Sequence, residues 1–344
     1  MRLWKNIRSF TLGWLISIVI WLLLRNTGPN SYLETINLEG STTNIIFFYA
    51  LMSLLAGVVF GGVQTLLERK QRRTFRAMLV AALSWHFVVM IIMYLLLYIF
   101  IRVSTTLDAA RFVDFLKNPV VWLHFGYSLA VNAAILIVLY LNRLLGPGNL
   151  SKLLTGKFSS PRAEKRIFMF LDLVGSTTLA QKLGHLKYSD LIQQCYLDLS
   201  AIEKTGGAVY QYVGDGVVLT WIYSEEALSK ALQAYFDFTA ALEANKQSYM
   251  DRFGEFPAFR AGLHFGEVTT VEVGSLKKEI AYHGDPINIA ARLQEQAKTI
   301  NADFVVSDLV ADLISNSAFT LEPAGHITLR GRSEQTGLFK VKSN

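Results

Sequence analysis

Cysteine is almost absent. Cys195 is the only one in 344 residues, so no disulfide can form within one chain, and the residue reads as a buried, inert thiol on a helix. Charge is scarce too: Asp, Glu, Lys and Arg make up 17% of the chain against 52% apolar residues. The charge that is present divides unevenly. Residues 1–161 hold 15 Lys and Arg against 5 Asp and Glu, a net of +10, and residues 162–344 hold 18 against 22, a net of −4, which together give the +6 of the whole chain. The basic balance therefore belongs to the apolar half and points to a membrane surface. The acidic C-terminal half argues against a nucleic-acid partner. No GxxxxGK[ST] phosphate loop occurs.

Four runs lack charge altogether: residues 9–24, 45–67, 77–101 and 120–141. Each is close to the about 20 apolar residues that cross a bilayer core. Lys and Arg collect before the first run (Arg2, Lys5, Arg8), between the second and third (Arg69, Lys70, Arg72, Arg73, Arg76) and after the fourth (Arg143, Lys152, Lys157). The positive-inside rule then predicts a multi-pass protein of the cell (inner) membrane, with the N-terminus and the C-terminal half in the cytoplasm. "RNTGPN" after the first run offers no small-x-small cleavage site, so that run reads as a span and not a leader. Without an interior ionisable residue beyond histidine, the spans do not outline a path for a charged substrate. His86 and His124, with Asn132 and Gln64, read as interhelical hydrogen-bonding residues; a ligand or haem is the alternative. Gly57, Gly61 and Gly62 suit close helix packing.

The organisation that follows is a transmembrane domain over 1–145, a linker over 146–165 and a soluble domain over 166–344. Gly146-Pro147-Gly148 ends the fourth helix, and Asn149 is placed to cap a short helix over "NLSKLL". From 166 the pattern predicts a strand (166–171), helices (176–183 and 186–204), a strand pair (208–213 and 217–222) and a long helix (225–250). Strands at 258–265, 267–273 and 279–283 and a helix at 286–299 come next. Hairpins interleaved with helices favour an α+β sheet carrying helices on one face.

Three stretches carry chemistry. "FMFLDLVGSTTLAQ" ends an apolar strand on Asp172 and continues through Gly175, Ser176 and Thr177 into a helix. A carboxylate there is either the first residue of an exposed turn or a cation ligand. Asp215 sits in Gly214-Asp215-Gly216, a hairpin-tip signal, and alone reads as a turn residue. If the two strands are neighbours, the carboxylates converge at one sheet edge. Two hard oxygen ligands with open positions suit Mg²⁺ or Mn²⁺ and a polyphosphate, and the free N–H groups of the helix after Gly175 suit phosphate. In "GDPINIAARLQEQ", Asp285 can cap a helix whose first turn suits Pro286, and on that helix Asn288 and Arg292 share a face four residues apart. They are either surface residues or a donor pair for a phosphoryl group.

Together these stretches resemble the class III nucleotidyl cyclases, the adenylate and guanylate cyclase family, over about 162–341. Phe170-Leu171-Asp172 with Gly175-Ser176-Thr177, then Gly214-Asp215, then Gly284, Asp285, Asn288, Ala290, Ala291, Arg292 and Leu293 match its motifs in order, and "LRGRSEQTGLFKV" resembles its C-terminal hairpin. The resemblance implies an α+β, ferredoxin-like (palm-type) catalytic domain, here behind the four-helix transmembrane bundle that the apolar runs predict. It implies conversion of a nucleoside triphosphate, ATP first, to a 3′,5′-cyclic nucleotide and pyrophosphate. Asp172 and Asp215 would hold two Mg²⁺ or Mn²⁺ ions per site. Arg292 would stabilise the developing charge, and Asn288 would orient the ribose. Gly175, Ser176, Thr177, Arg330 and Arg332 would touch the phosphates. The metal pair and the Asn/Arg pair would face each other across a homodimer. Gln211 and Ala281 fall where the family reads the base, and they match neither its usual adenine pair nor its usual guanine pair. A guanylate or pyrimidine cyclase, or an inactive nucleotide-sensing module, are the alternatives.

Overall fold

A computed structural model describes residues 2–26, 42–69, 74–104, 116–117, 119–146, 148–314, 319–328 and 335–343. It divides into two compact units, residues 1–144 and 145–344.

The first unit contains α1 (Arg2–Asn26), α2 (Thr42–Arg69), α3 (Phe75–Ser104) and α4 (Pro119–Leu144). Three described segments are long and apolar enough to cross a membrane: Ala50–Glu68, Arg76–Leu96 and Val121–Leu144. The sequence also assigns a span to residues 9–24; that segment is helical within α1 but is not among these three. Small residues bring α1 and α2 together. A Cβ on Gly57 would lie 2.7 Å from the Thr11 Cα, and one on Gly61 would lie 2.6 Å from the Ile7 Cα. Gly62, expected to share this role, faces open space. His86 bridges helices as its surroundings demand: one ring nitrogen lies 3.1 Å from Ser128 Oγ and the other 3.2 Å from Asn132 Nδ2.

The second unit begins with α5 (Asn149–Leu154) and β1 (Arg162–Leu173). Asn149 does not cap α5. Gly148 occupies the cap in the left-handed region, φ 76°, and Asn149 Nδ2 donates back to Leu145 O instead. Next come α6 (Ser176–Asp198), kinked at Gly184, a 3₁₀ turn (Leu199–Thr205), β2 (Ala208–Val213) and β3 (Gly216–Ile222). The helix expected over 225–250 is two, α7 (Glu225–Ala244) and α8 (Lys246–Phe253). They separate at Asn245, whose side chain donates to Ala241 O and to Asp198 Oδ1.

The two strands expected over 258–273 are one, β4 (Phe259–Val273). Gly266 is a clearance and not a turn: a Cβ there would lie 2.5 Å from Pro286 Cγ. β5 (Glu279–His283), α9 (Asp285–Thr299), β6 (Phe304–Ser307), α10 (Asp308–Leu313), β7 (Phe319–Thr328) and β8 (Gln335–Ser343) complete the unit.

The sheet runs β2-β3-β1-β4-β6-β8-β7, with β5 paired to β4. β1 is antiparallel to both neighbours, β3 and β4, so it is central, as its apolar run predicts. Side chains alternate across it. Ile167, Met169 and Leu171 enter a large core with Leu228, Leu232 and Phe238 of α7, while Phe168 packs on the other face with Ala290 of α9. Helices therefore cover both faces, not one. Cys195 is fully buried in the first of these cores, and burial pushes its thiol up to about 12.

Candidate functional site

Asp172 closes the even-numbered face of β1, the face that α9 covers. In register, Leu171 lies opposite Val217 of β3 and Asp172 opposite Arg260 of β4. The Gly-Asp-Gly tip therefore stands beside Asp172. A Cβ on Gly216 would come within 3.2 Å of Asp172 Oδ1 and 3.0 Å of Leu171 O, so glycine is what lets the tip close against the strand end. Gly214 supplies the left-handed turn, φ 61°. Tyr196 of α6 fixes the tip: its hydroxyl lies 2.9 Å from Gly216 O and 3.2 Å from Gly214 O.

The structure thus brings Asp172 and Asp215 together, and their charges interact. Burial raises the Asp172 pKa first, and the negative charge of Asp215 raises it further. A hydrogen bond from Gln294 and the cations of Lys298 and Arg260 oppose the rise. The Tyr188 hydroxyl is held above its usual range by burial and by both carboxylates, and it hydrogen-bonds Ser176. Two acids pressed together in a half-buried place favour a bound positive charge. Among the described residues no group of three or more His, Cys, Asp or Glu could hold a metal ion. A cation here would take two carboxylates from the protein and its remaining ligands from phosphate oxygens or water. That donor set fits Mg²⁺ or Mn²⁺, which keep few protein ligands beside a polyphosphate.

Gly175 begins α6 with φ 68°, and Leu179 N–H donates to its carbonyl at 3.0 Å. Ser176 and Thr177 are the first helical residues, four and five positions after Asp172. At the start of α9 the cap is Gly284, with φ 151° and no side-chain hydrogen bond. Asp285, read as a cap in the sequence, is instead the first helical residue, with Pro286 after it.

Asn288 and Arg292 are not brought to Asp172. α9 lies directly on β4 because Gly262 and Gly266 have no side chains: a Cβ on Gly262 would sit 2.2 Å from Gln294 N and 2.5 Å from Ala290 O. Pro286, Ala290 and Gln294, spaced by four, therefore form the stripe facing the sheet. At 100° per residue, Asn288 and Arg292 lie about 160–200° round the helix from that stripe. Asn288 is exposed and Arg292 half-buried. Neither has a hydrogen-bond or ion-pair partner among the described residues. Gln294, on the inner stripe, donates to Asp172 Oδ2 at 3.4 Å.

Gln211 is exposed on β2, at the bulge between Val209 and Gln211, and Ala281 is half-buried on β5. Their neighbours Tyr210 and Tyr282 meet edge to face at 4.8 Å, which draws together on the α9 face two strands that are not paired to each other. Arg330 and Arg332 lie outside the described residues.

Sequence reasoning missed Arg260, Gln294, Lys298 and Tyr196. The signal for Arg260 was present in "FRAGLHFG", where a cation interrupts an apolar strand. Its pairing with Asp172 depends on a strand register that no local pattern specifies.

The profile described as the adenylate and guanylate cyclase catalytic domain matches residues 158–341, more than half of the chain. Adenylate cyclase 2 of Rhizobium meliloti (strain 1021) is 33% identical over 218 residues, 62% of this chain and 60% of that protein. The receptor-type guanylate cyclase gcy-13 of Caenorhabditis elegans is 25% identical over 204 residues, 57% of this chain and 19% of that protein. The chain thus spans under two thirds of each relative. Among solved structures, a bacterial light-regulated adenylyl cyclase superposes with a TM-score of 0.52 at 19% identity, over 62% of this chain and 63% of that one, a likeness of fold.

Proposed function

The chain belongs to the adenylate and guanylate cyclase catalytic-domain family, and from that premise we propose that it is a membrane-anchored nucleotidyl cyclase working as a homodimer, with ATP as its first substrate. The observation that carries this reading is the meeting of Asp172 and Asp215 at the end of β1. Divalent cations bound there would supply Lewis-acid polarisation of phosphate oxygens and make the ribose 3′-hydroxyl easier to deprotonate.

The chain's own residues do the rest. Arg260 and the N–H groups after Gly175 hold the triphosphate beside the two carboxylates, and Arg330 and Arg332 add to that hold. The 3′-oxygen forms a bond to the α-phosphorus, the bond to pyrophosphate breaks, and the hydroxyl proton passes to solvent water. Arg292 of the second protomer stabilises the charge gathering on the α-phosphoryl group, and Asn288 beside it orients the ribose. Two arguments favour a second protomer. Arg292 is on the wrong side of α9 to reach its own Asp172, and a two-fold dimer offers each site the other chain's α9.

ATP is favoured by the name of the rhizobial relative. Gln211 can both donate and accept, so it leaves GTP or a pyrimidine triphosphate as the second reading. The anchoring rests on the three long apolar helices and on the first uncharged run, 9–24. The charge bias puts the catalytic domain in the cytoplasm, at the inner membrane. The test is purified full-length protein with Mn²⁺ and each of the four NTPs, products identified by mass spectrometry. A cyclic nucleotide and pyrophosphate are expected. Tight NTP binding with no product from any of the four rejects the enzyme and favours a nucleotide-sensing module.

A further inference from the structure

The four helices of the first unit line a partly open cavity of about 60 Å³. On the scale where one water needs roughly 10–15 Å³, this is room for about four to six small heavy atoms. All four helices line it. Trp14 and Trp21 come from α1, two turns apart on one face, and Met52, Met90 and Met93 from α2 and α3 give it a pliable wall.

The polar groups of the wall are mostly spoken for. Ser17 Oγ lies 3.2 Å from Tyr127 Oη, whose hydroxyl donates to Ser17 O at 2.6 Å. The Tyr94 hydroxyl donates to Val121 O at 3.0 Å and lies 3.1 Å from His124 Nδ1. Two groups stand out against this: the indole N–H of Trp14 and that of Trp21 are both buried without a partner among the described residues. Trp14 is only 6% exposed. A bilayer interior has no water to satisfy such donors. Both are donors, so the missing partner must accept. Water could accept from these two donors, but the methionine side of the cavity, Met52, Met90 and Met93, offers it nothing and favours an occupant with an apolar body.

We propose that this cavity is a binding site for a small neutral carbonyl compound that enters from the membrane, its apolar body against the methionines and its oxygen accepting from the indole N–H of Trp14 or of Trp21. Such a ligand ties α1 to the other three helices. It makes the membrane unit a receptor as well as an anchor.

The test uses the full chain in phosphatidylcholine nanodiscs and two probes of one shape, cyclopentanone and methylenecyclopentane, of which only the first has an acceptor oxygen. Cyclopentanone is expected to raise the unfolding midpoint of the membrane helices by about 2–4 °C at saturation, and methylenecyclopentane by less. The paired change Trp14→Phe with Trp21→Phe keeps an aromatic ring at each position and removes both donors, so it abolishes the difference between the probes. Equal shifts, no shift with either probe (a cavity holding only water), or a difference that survives in the paired variant each overturn the proposal. A second readout needs no variant. The infrared carbonyl band of ¹³C-labelled cyclopentanone moves to lower frequency with the protein relative to empty nanodiscs, and an unmoved band overturns the proposal as well.

Discussion

Asp172 takes its hydrogen bond from Gln294, while Arg292, two residues earlier on the same helix, faces away from it. On the proposed function, one chain therefore carries both halves of the site without joining them. Asp172→Asn and Arg292→Ala are each expected to inactivate the homodimer, the second by about 10²–10³-fold in kcat with little change in KM. Co-expressed one to one, half of the dimers are mixed, and each mixed dimer has one intact site. Activity is expected to return to about a quarter of wild type. Differently tagged chains, purified as the mixed species and assayed for cyclic nucleotide, check this. No recovery in the mixed dimer sinks the shared site.

The raised pKa of Asp172 has a thermodynamic consequence. Its ordinary value is 3.8, and burial with the Asp215 charge raises it in the folded state. The stability linked to this group is fully present below the unfolded value and is lost as pH rises through the folded one. At pH 7 with EDTA, Asp172→Asn is expected to unfold at a higher temperature than wild type. The gap is expected to close as pH falls below 3.8, where the acid is protonated in the folded and unfolded states alike, and to close or reverse on adding Mg²⁺. A wild type already as stable as the variant at pH 7 without divalent cations contradicts the buried, mutually repelling pair.

The fold class and family were legible because they are written locally. The unbroken run Ile167 to Leu171 gave a central strand, Gly214-Asp215-Gly216 gave a hairpin, and Pro286 opened a helix at the expected place. What failed depended on tertiary contact. Gly266 looked like a strand break because nothing in the sequence reveals that Pro286 lies over it. Asn149 and Asp285 looked like caps because their residue type suits capping, yet the glycine before each took the position. The helices on the second sheet face escaped notice because the parity of Phe168 and Ala290 means little until strand and helix are packed. The candidate site divides in the same way. Its carboxylates announce themselves at the ends of apolar runs, whereas Arg260 and Gln294 are defined only by register.

Gly262 carries the seat of α9. An alanine methyl there would meet backbone, Gln294 N at 2.2 Å and Ala290 O at 2.5 Å, so no side-chain rotation relieves it. Gly262→Ala is expected to cost at least about 1–3 kcal/mol and to reduce turnover, since lifting α9 moves Arg292 and Gln294 together. Thermal unfolding and the cyclase assay, run on the same preparation, measure both. Unchanged stability means the helix does not lie where the strand glycines admit it.

Phe158 decides where the catalytic unit begins. The sequence reading starts the domain at 166 and treats 146–165 as linker, but β1 starts at Arg162 and Phe158 is 1% exposed. Its ring packs with Phe168, Val218, Val268 and Tyr282, its carbonyl accepts the Glu272 N–H at 2.8 Å, and the Lys157 and Lys152 ammonium groups lie 5.2 and 5.8 Å from the ring. This end of the linker is therefore bolted onto the sheet face that also bears Tyr210 and Tyr282, next to the candidate base-reading positions. Phe158→Ala removes a fully buried ring and is expected to cost about 3–5 kcal/mol, whereas Phe158→Leu keeps most of the volume and should cost far less. Truncations make the same point. A fragment starting at residue 145 should fold and bind nucleotide, and one starting at 166, which lacks Phe158 and the first four residues of β1, should aggregate. If both fragments are equally soluble and equally stable to heat, the ring is a passenger, and the linker couples to the catalytic unit through some other contact.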